Sequence, residues 1–85
     1  MELNEKLLYS IPVDEQLYRM LIEDGIPYRV SKAVCDTLER LSMQSLGELC
    51  EMGKKRFKMQ NGVGPRCINH LTIFFNEQFG LEWKD

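Results

Sequence analysis

The chain has 85 residues, of which 44% are apolar and 28% charged, so it is too apolar for a disordered tail and long enough for one small domain. Its net charge of −2 does not by itself indicate nucleic-acid binding. No apolar run approaches the ~20 residues that a membrane span needs, and the acidic, polar residues 1–5 argue against a signal peptide. We therefore expect a cytoplasmic protein that has no membrane partner.

The first part of the chain, residues 1–25, predicts two short amphipathic helices. The first covers residues 2–9 and ends before Pro12, which cannot continue a helix. Its apolar side consists of Leu3, Leu7 and Leu8. The second helix follows Pro12 and ends near Gly25, a favourable C-terminal cap. Its apolar side consists of Val13, Leu17, Met20 and Leu21.

The middle of the chain predicts two further helices with recognisable ends. Ser31 is the expected N-cap of the first. Its inner face consists of Val30, Val34, Leu38 and Leu41. Ser45 and Glu48 have the spacing of a capping box at the start of the second helix, and Gly53 ends it. A short helical turn over residues 54–60 follows.

Phe57 is expected to anchor this helical turn, with Met59 as a second anchor. The last helix is predicted from Pro65 to Gln78, capped by Gly80. Its apolar stripe consists of Ile68, Leu71, Thr72, Ile73, Phe74, Phe75 and Phe79. Leu81 and Trp83 are expected to fold back as a tail. Because no segment alternates with period two, the sequence predicts an all-α bundle of five or six short helices.

The segment before the last helix is the most informative part of the sequence. Gly62 and Gly64 flank Val63 and permit a tight turn that exposes backbone N–H groups. We call residues 61–64 the glycine turn. A helix that starts at Pro65 offers unpaired N–H groups and the positive end of its dipole, which favour an anion such as phosphate. We expect Gly64→Val to disrupt this turn, because a β-branched residue resists the angles that glycine permits.

Positive charge is concentrated beside the glycine turn. Residues 1–25 contain six acids and two bases, a balance of −4, whereas residues 54–66 contain five bases and no acid. The five are Lys54, Lys55, Arg56, Lys58 and Arg66. Since surface charges act over about 10 Å, this local patch can attract phosphates despite the overall charge. The alternative is a solvated linker between helices.

The cysteines and the histidine give no sign of a metal site or an active site. Cys35, Cys50 and Cys67 form no C-x-x-C pair, and we expect buried, reduced thiols. Cys67 and His70 have metal-like spacing, but a zinc site needs about four ligands. A lone histidine without a paired acid or base gives nothing from which to assemble a catalytic site. We therefore expect no enzyme activity, metal, cofactor or small-molecule substrate.

Four short pieces of the chain occur in an order that is typical of one family. They are the helix over residues 30–38, the triplet Gly47-Glu48-Leu49, the turn over residues 63–67, and Phe79-Gly80-Leu81. In this order the chain, from Ile26 to Trp83, resembles the C-terminal domain of the bacterial RNA polymerase alpha subunit. Residues 62–66 also resemble the helix-hairpin-helix element of SAM-like DNA-binding modules in repair and recombination proteins.

The resemblance implies a helix-hairpin-helix domain over residues 26–85, from a bacterium or a phage. Domains of that family grip the DNA minor groove and backbone and contact transcription activators. Residues 1–25 have no counterpart in the family. We expect them to form an N-terminal helical extension that packs on the domain or docks a partner.

Carried over residue by residue, the resemblance fits the turn better than the first helix. Gly64 takes the place of the family's turn glycine, and Arg66 takes the basic position two residues later. The family's DNA-reading arginine aligns with Ala33, with Lys32 as the neighbouring substitute, and an asparagine one turn later aligns with Asp36, which would repel phosphate. Both departures are expected at the surface, where they weaken DNA binding without changing the fold.

Two functions are therefore expected. The first is a non-enzymatic nucleic-acid-binding module of transcription that contacts the DNA backbone. Its expected contact residues are Lys32, Lys54, Lys55, Arg56, Lys58, Gly62, Val63, Gly64 and Arg66. The alternative is a protein–protein interaction module of the same fold, with a partner in the transcription machinery and weak or no DNA binding.

Overall fold

Short helices separated by capping residues make up the chain. A computed structural model describes residues 2–85, with side chains from residue 6 onward. Over this range the chain forms six helices and no strand, which confirms the all-α prediction. The helices are α1 (Glu2–Tyr9), α2 (Glu15–Glu23), α3 (Tyr28–Arg40), α4 (Leu46–Met52), α5 (Lys54–Lys58) and α6 (Pro65–Phe79). None of these helices combines the length and apolar character that a membrane crossing requires.

Local capping signals set most of the helix ends. The Asp14 carboxylate accepts a hydrogen bond from the Gln16 N–H at 2.8 Å at the start of α2. The predicted capping box of Ser45 and Glu48 is present at the start of α4. Gly53 has a φ of +88°, ends α4 and immediately precedes α5. The chain thus changes direction at Gly53 without an intervening loop.

The start of α3 differs from the prediction. The helix begins at Tyr28, directly after Pro27, and Ser31 is not its N-cap. The fixed φ of proline, here −55°, already suits a helix start. Ser31 is instead buried inside the helix, where its hydroxyl donates to the Ile26 carbonyl at 3.4 Å.

One hydrophobic core joins the N-terminal helices to the rest of the chain. Its members include Leu8, Leu17, Leu21, Val34, Leu38, Leu46, Leu49, Phe57, Leu71 and Phe75. Two backbone hydrogen bonds reinforce this connection: the Leu46 N–H donates to the Ile11 carbonyl at 2.9 Å, and the Val13 N–H donates to the Gln44 carbonyl at 3.0 Å. The segment from Leu8 to Leu21 therefore shares its core with residues 26–85.

Helices α1 and α4 meet where Tyr9 lies across Gly47. A Cβ atom at Gly47 would come within 2.5 Å of the Tyr9 ring, so only glycine allows this approach. The Tyr9 hydroxyl donates to the Glu51 carboxylate at 2.5 Å. That hydrogen bond, followed by desolvation and the negative charge of Glu51, raises the pKa of Tyr9 to about 12.

The chain after α6 folds back over the core, as predicted. The Trp83 side chain is buried, with its ring centroid 5.2 Å from that of Phe75 and 6.1 Å from that of Phe57. The Lys54 N–H donates to the Lys84 carbonyl at 2.9 Å. The tail therefore holds the start of α5 in place.

Three apolar side chains that the sequence assigned to inner faces are exposed. Met59 is 78% exposed and does not anchor α5, whereas Phe57 is fully buried. Ile73 is exposed because it lies two residues from Phe75, about 200° around α6. Leu7 is likewise exposed beside the buried Leu8. The side chain of Leu3, assigned to the same side of α1, lies outside the described residues.

Candidate nucleic-acid interface

The glycine turn is fixed by Val63 and bent by Gly62. The Val63 side chain is buried in the core, and its N–H donates to the Gln60 carbonyl at 3.2 Å. Gly62 is exposed and has a φ of +85°, in the left-handed region that favours glycine. Gly64 is half-buried and extended, with a φ of −113°, and forms the N-cap of α6. Val63 thus anchors the turn to the core rather than offering a contact at its surface.

Two backbone donors of this turn remain available. No hydrogen bond within residues 2–85 uses the N–H of Gly62 or of Gly64. Helix α6 starts at Pro65, which has no N–H, and the first N–H groups of any helix lack partners inside it. The turn therefore offers donors close to the positive end of a helix of 15 residues.

The prediction that Gly64→Val disrupts the turn through its backbone angles is wrong. A Cβ atom at Gly64 would meet nothing within 4 Å, and a φ of −113° is open to any residue. The left-handed angle falls at Gly62. The Gly-Val-Gly pattern indicates a turn but does not show which glycine takes the unusual conformation.

The basic residues around the turn differ in exposure. Three on α5 and one in the first turn of α6 are exposed: Lys55, Arg56, Lys58 and Arg66. Lys54 is half-buried. Among the side chains that the structure describes, the one ion pair joins Arg19 to Glu15, so these five cations have no carboxylate partner there. Their charges remain available to an external anion.

Arg40 belongs to this surface, although the sequence gave no reason to place it there. It is the last residue of α3, and its Nη2 donates to the Asn61 carbonyl oxygen at 3.1 Å. A basic residue at a helix C-terminus is favoured by the helix dipole. This explains why residue 40 is positively charged, but not why it contacts Asn61. Only the packing of α3 against α6 brings it to a turn that lies 21 residues later.

Lys32 lies elsewhere. It borders a groove of about 410 Å³ between α2 and α3. The other residues of this groove are Asp14, Glu15, Tyr18, Tyr28, Cys35, Asp36 and Glu39. Along α3, Lys32 precedes Arg40 by eight residues, or about 12 Å. The structure therefore places Lys32 at a groove that four acidic residues also border, and not at the glycine turn.

The two departures from the family pattern lie on the same helix. Asp36 is exposed, as expected, but Ala33 is half-buried and packs against the core, so the expectation that both are surface positions holds only for Asp36. Burial, followed by the charges of Glu39 and Asp36, raises the pKa of the Cys35 thiol to about 11. At neutral pH the Cys35 thiol is therefore protonated.

No grouping of histidine, cysteine and acidic side chains in the described part of the chain could hold a metal ion.

No protein-family model matches the chain, and no curated protein or solved structure matches it. The resemblance to the polymerase alpha domain thus depends on the short motifs given above.

Proposed function

We propose that this chain is a non-enzymatic module of transcription that binds the backbone of duplex DNA through its glycine turn. The proposal includes the finer architecture, a helix-hairpin-helix in which α5, the glycine turn and α6 form the DNA-contacting element. The observation that carries it is the pair of unused N–H groups on Gly62 and Gly64, at a helix start and between exposed cations that are close in sequence.

The binding mechanism follows from these groups. A phosphate oxygen accepts hydrogen bonds from the turn N–H groups and is stabilised by the dipole of α6. Arg66, in the first turn of that helix, neutralises the same or the adjacent phosphate. The cations of α5 add attraction at longer range. Such contacts position a protein on DNA without reading its sequence, so we expect salt-dependent affinity in the range of about 10⁻⁴–10⁻⁶ M.

The direct test is a titration of the ¹⁵N-labelled chain with a short DNA duplex at low salt. We expect the amide resonances of Gly62 and Gly64 to shift and saturate. Arg66→Ala should keep the fold, weaken binding, and reduce the slope of log K against log salt by about 0.9. The matched control is Arg29→Ala, which removes an exposed arginine in the first turn of α3, away from the glycine turn. This variant should bind DNA as the parent chain does.

Two results would reject this proposal or part of it. If saturating DNA left both glycine amides unshifted, the turn would not be the binding element. If Arg66→Ala bound DNA as tightly as the parent chain, the role given to Arg66 would be wrong.

A protein–protein interaction module is the second candidate, and the groove between α2 and α3 supports it. Tyr28 is 62% exposed and its ring meets that of Tyr18 edge-on at 6.1 Å. The carboxylates of Asp36 and Glu39 border the same groove and would repel a phosphate. A lysine- and arginine-rich peptide should then shift the ring resonances of both tyrosines, while DNA leaves the glycine turn unchanged.

A further inference from the structure

The hydrogen bond from Arg40 to the glycine turn is made to the peptide group between Asn61 and Gly62. The N–H of that group is one of the two proposed to donate to a phosphate. The acceptor of the hydrogen bond, the Asn61 carbonyl oxygen, belongs to the same peptide unit as the Gly62 N–H. That unit is planar, so a donor that fixes the oxygen also fixes the direction of the N–H. In a trans peptide the two groups point to opposite sides, and the structure contains no cis bond in the part it describes.

We infer that Arg40 is a positioning residue for DNA binding: it orients the Gly62 N–H toward a backbone phosphate without contacting that phosphate itself. This inference rests on the proposed function. Gly62 needs such support, because glycine has wide conformational freedom and the residue is exposed, with nothing within 4 Å of where a Cβ atom would lie. The Val63 N–H bond to the Gln60 carbonyl closes the turn around residues 61 and 62. A turn of this kind can hold its central peptide unit in either of two opposite orientations, and the Arg40 bond selects one of them.

The hydrogen bond also strengthens the donor. Donation from a guanidinium to a carbonyl polarises the peptide group, which makes its N–H a better donor to a further acceptor. Arginine suits this position because its planar fork loses little freedom when one N–H is committed. The opposite directions of the carbonyl and the N–H place the Arg40 charge on the far side of the peptide unit from a phosphate bound by Gly62.

The test compares Arg40→Met, Arg40→Lys and Arg29→Met in free and DNA-bound protein. In free protein, Arg40→Met should shift the Gly62 amide resonance and speed its hydrogen exchange, whereas Arg29→Met, with the same loss of charge about 16 Å away along α3, should not. With DNA, Arg40→Met should weaken binding about three- to tenfold, the value of one hydrogen bond, with an unchanged salt slope. Arg40→Lys should restore part of the affinity, because lysine retains a donor.

The salt slope separates positioning from phosphate contact. A slope reduced by about 0.9 in Arg40→Met, as expected for Arg66→Ala, would mean that Arg40 touches a phosphate and would overturn the inference. A Gly62 resonance that Arg40→Met leaves unmoved in free protein would overturn it as well. If the parent chain binds DNA and only this readout fails, the inference fails alone. If the parent chain binds no duplex, the proposed function fails.

Discussion

Alanine substitutions at the two glycines of the turn should have clearly different effects on stability. At Gly62 the φ of +85° is the only obstacle, because a Cβ atom there meets nothing within 4 Å. Holding an L-residue in that region costs about 1–2 kcal/mol. At Gly64 the extended backbone accepts alanine. The gain of about 0.4–1 kcal/mol from a less flexible unfolded chain is offset by the weaker N-capping of alanine, so the net change is within about 0.5 kcal/mol.

These differences are large enough to measure. A domain of this size has a total unfolding free energy of about 4–13 kcal/mol, and 1 kcal/mol shifts its Tm by about 4–8 °C. Urea and thermal denaturation followed by circular dichroism would give both changes. Gly62→Ala should lower the Tm by about 4–16 °C and Gly64→Ala by less than about 4 °C. A greater loss of stability in Gly64→Ala than in Gly62→Ala would refute the assignment of the left-handed position.

Three further predictions concern packing and pKa. Gly47→Ala should cost about 1–3 kcal/mol of stability in the parent chain, because its methyl group meets the Tyr9 ring, but in Tyr9→Ala it should be neutral or stabilising by up to about 1 kcal/mol. A double-mutant cycle by urea denaturation measures this coupling, and equal costs in both backgrounds would contradict the contact. Glu51→Gln should lower the Tyr9 pKa from about 12 toward its ordinary value in an NMR titration of the ring. Since the folded-state pKa is the raised one, the stabilisation from this hydrogen bond is present below pH 10 and lost as the pH rises through 12; a Tyr9 pKa unchanged in the variant would exclude Glu51 as its cause. Phe57→Ala should cost about 3–5 kcal/mol, whereas Met59→Ala should change stability by less than about 0.5 kcal/mol, and similar losses in calorimetry would contradict their opposite burial.

Much of the secondary structure could be predicted because its signals are local. The capping box of Ser45 and Glu48, the break at Gly53 and the left-handed cap at Gly80 each depend on a few neighbouring residues. The same holds for the start of α6 at Pro65. The error at Ser31 arose from two competing local signals, because Pro27 also starts a helix and does so earlier. Local chemistry thus gave helix ends to within a few residues.

Whether a side chain is buried or exposed was harder to predict. The apolar character of a residue shows that it can be buried, but not which residues it contacts. Met59, just after α5, and Ile73, on α6, are as apolar as their buried neighbours, but their side chains lie in water. Ala33 was expected at the surface and packs partly against the core. Each of these outcomes depends on which helix lies alongside.

By itself the sequence determined an all-α chain, the turn between α5 and α6, and the concentration of basic residues beside that turn. Tertiary structure alone decided that Gly62 takes the left-handed angle, that Arg40 reaches the Asn61 carbonyl, and that Asp14 and Glu15 border the same groove as Lys32. The physical reason is the distance in sequence over which the interactions act. Helix caps and charge runs act between residues close in sequence, whereas the surroundings of a side chain are set by helices that meet only when the core forms.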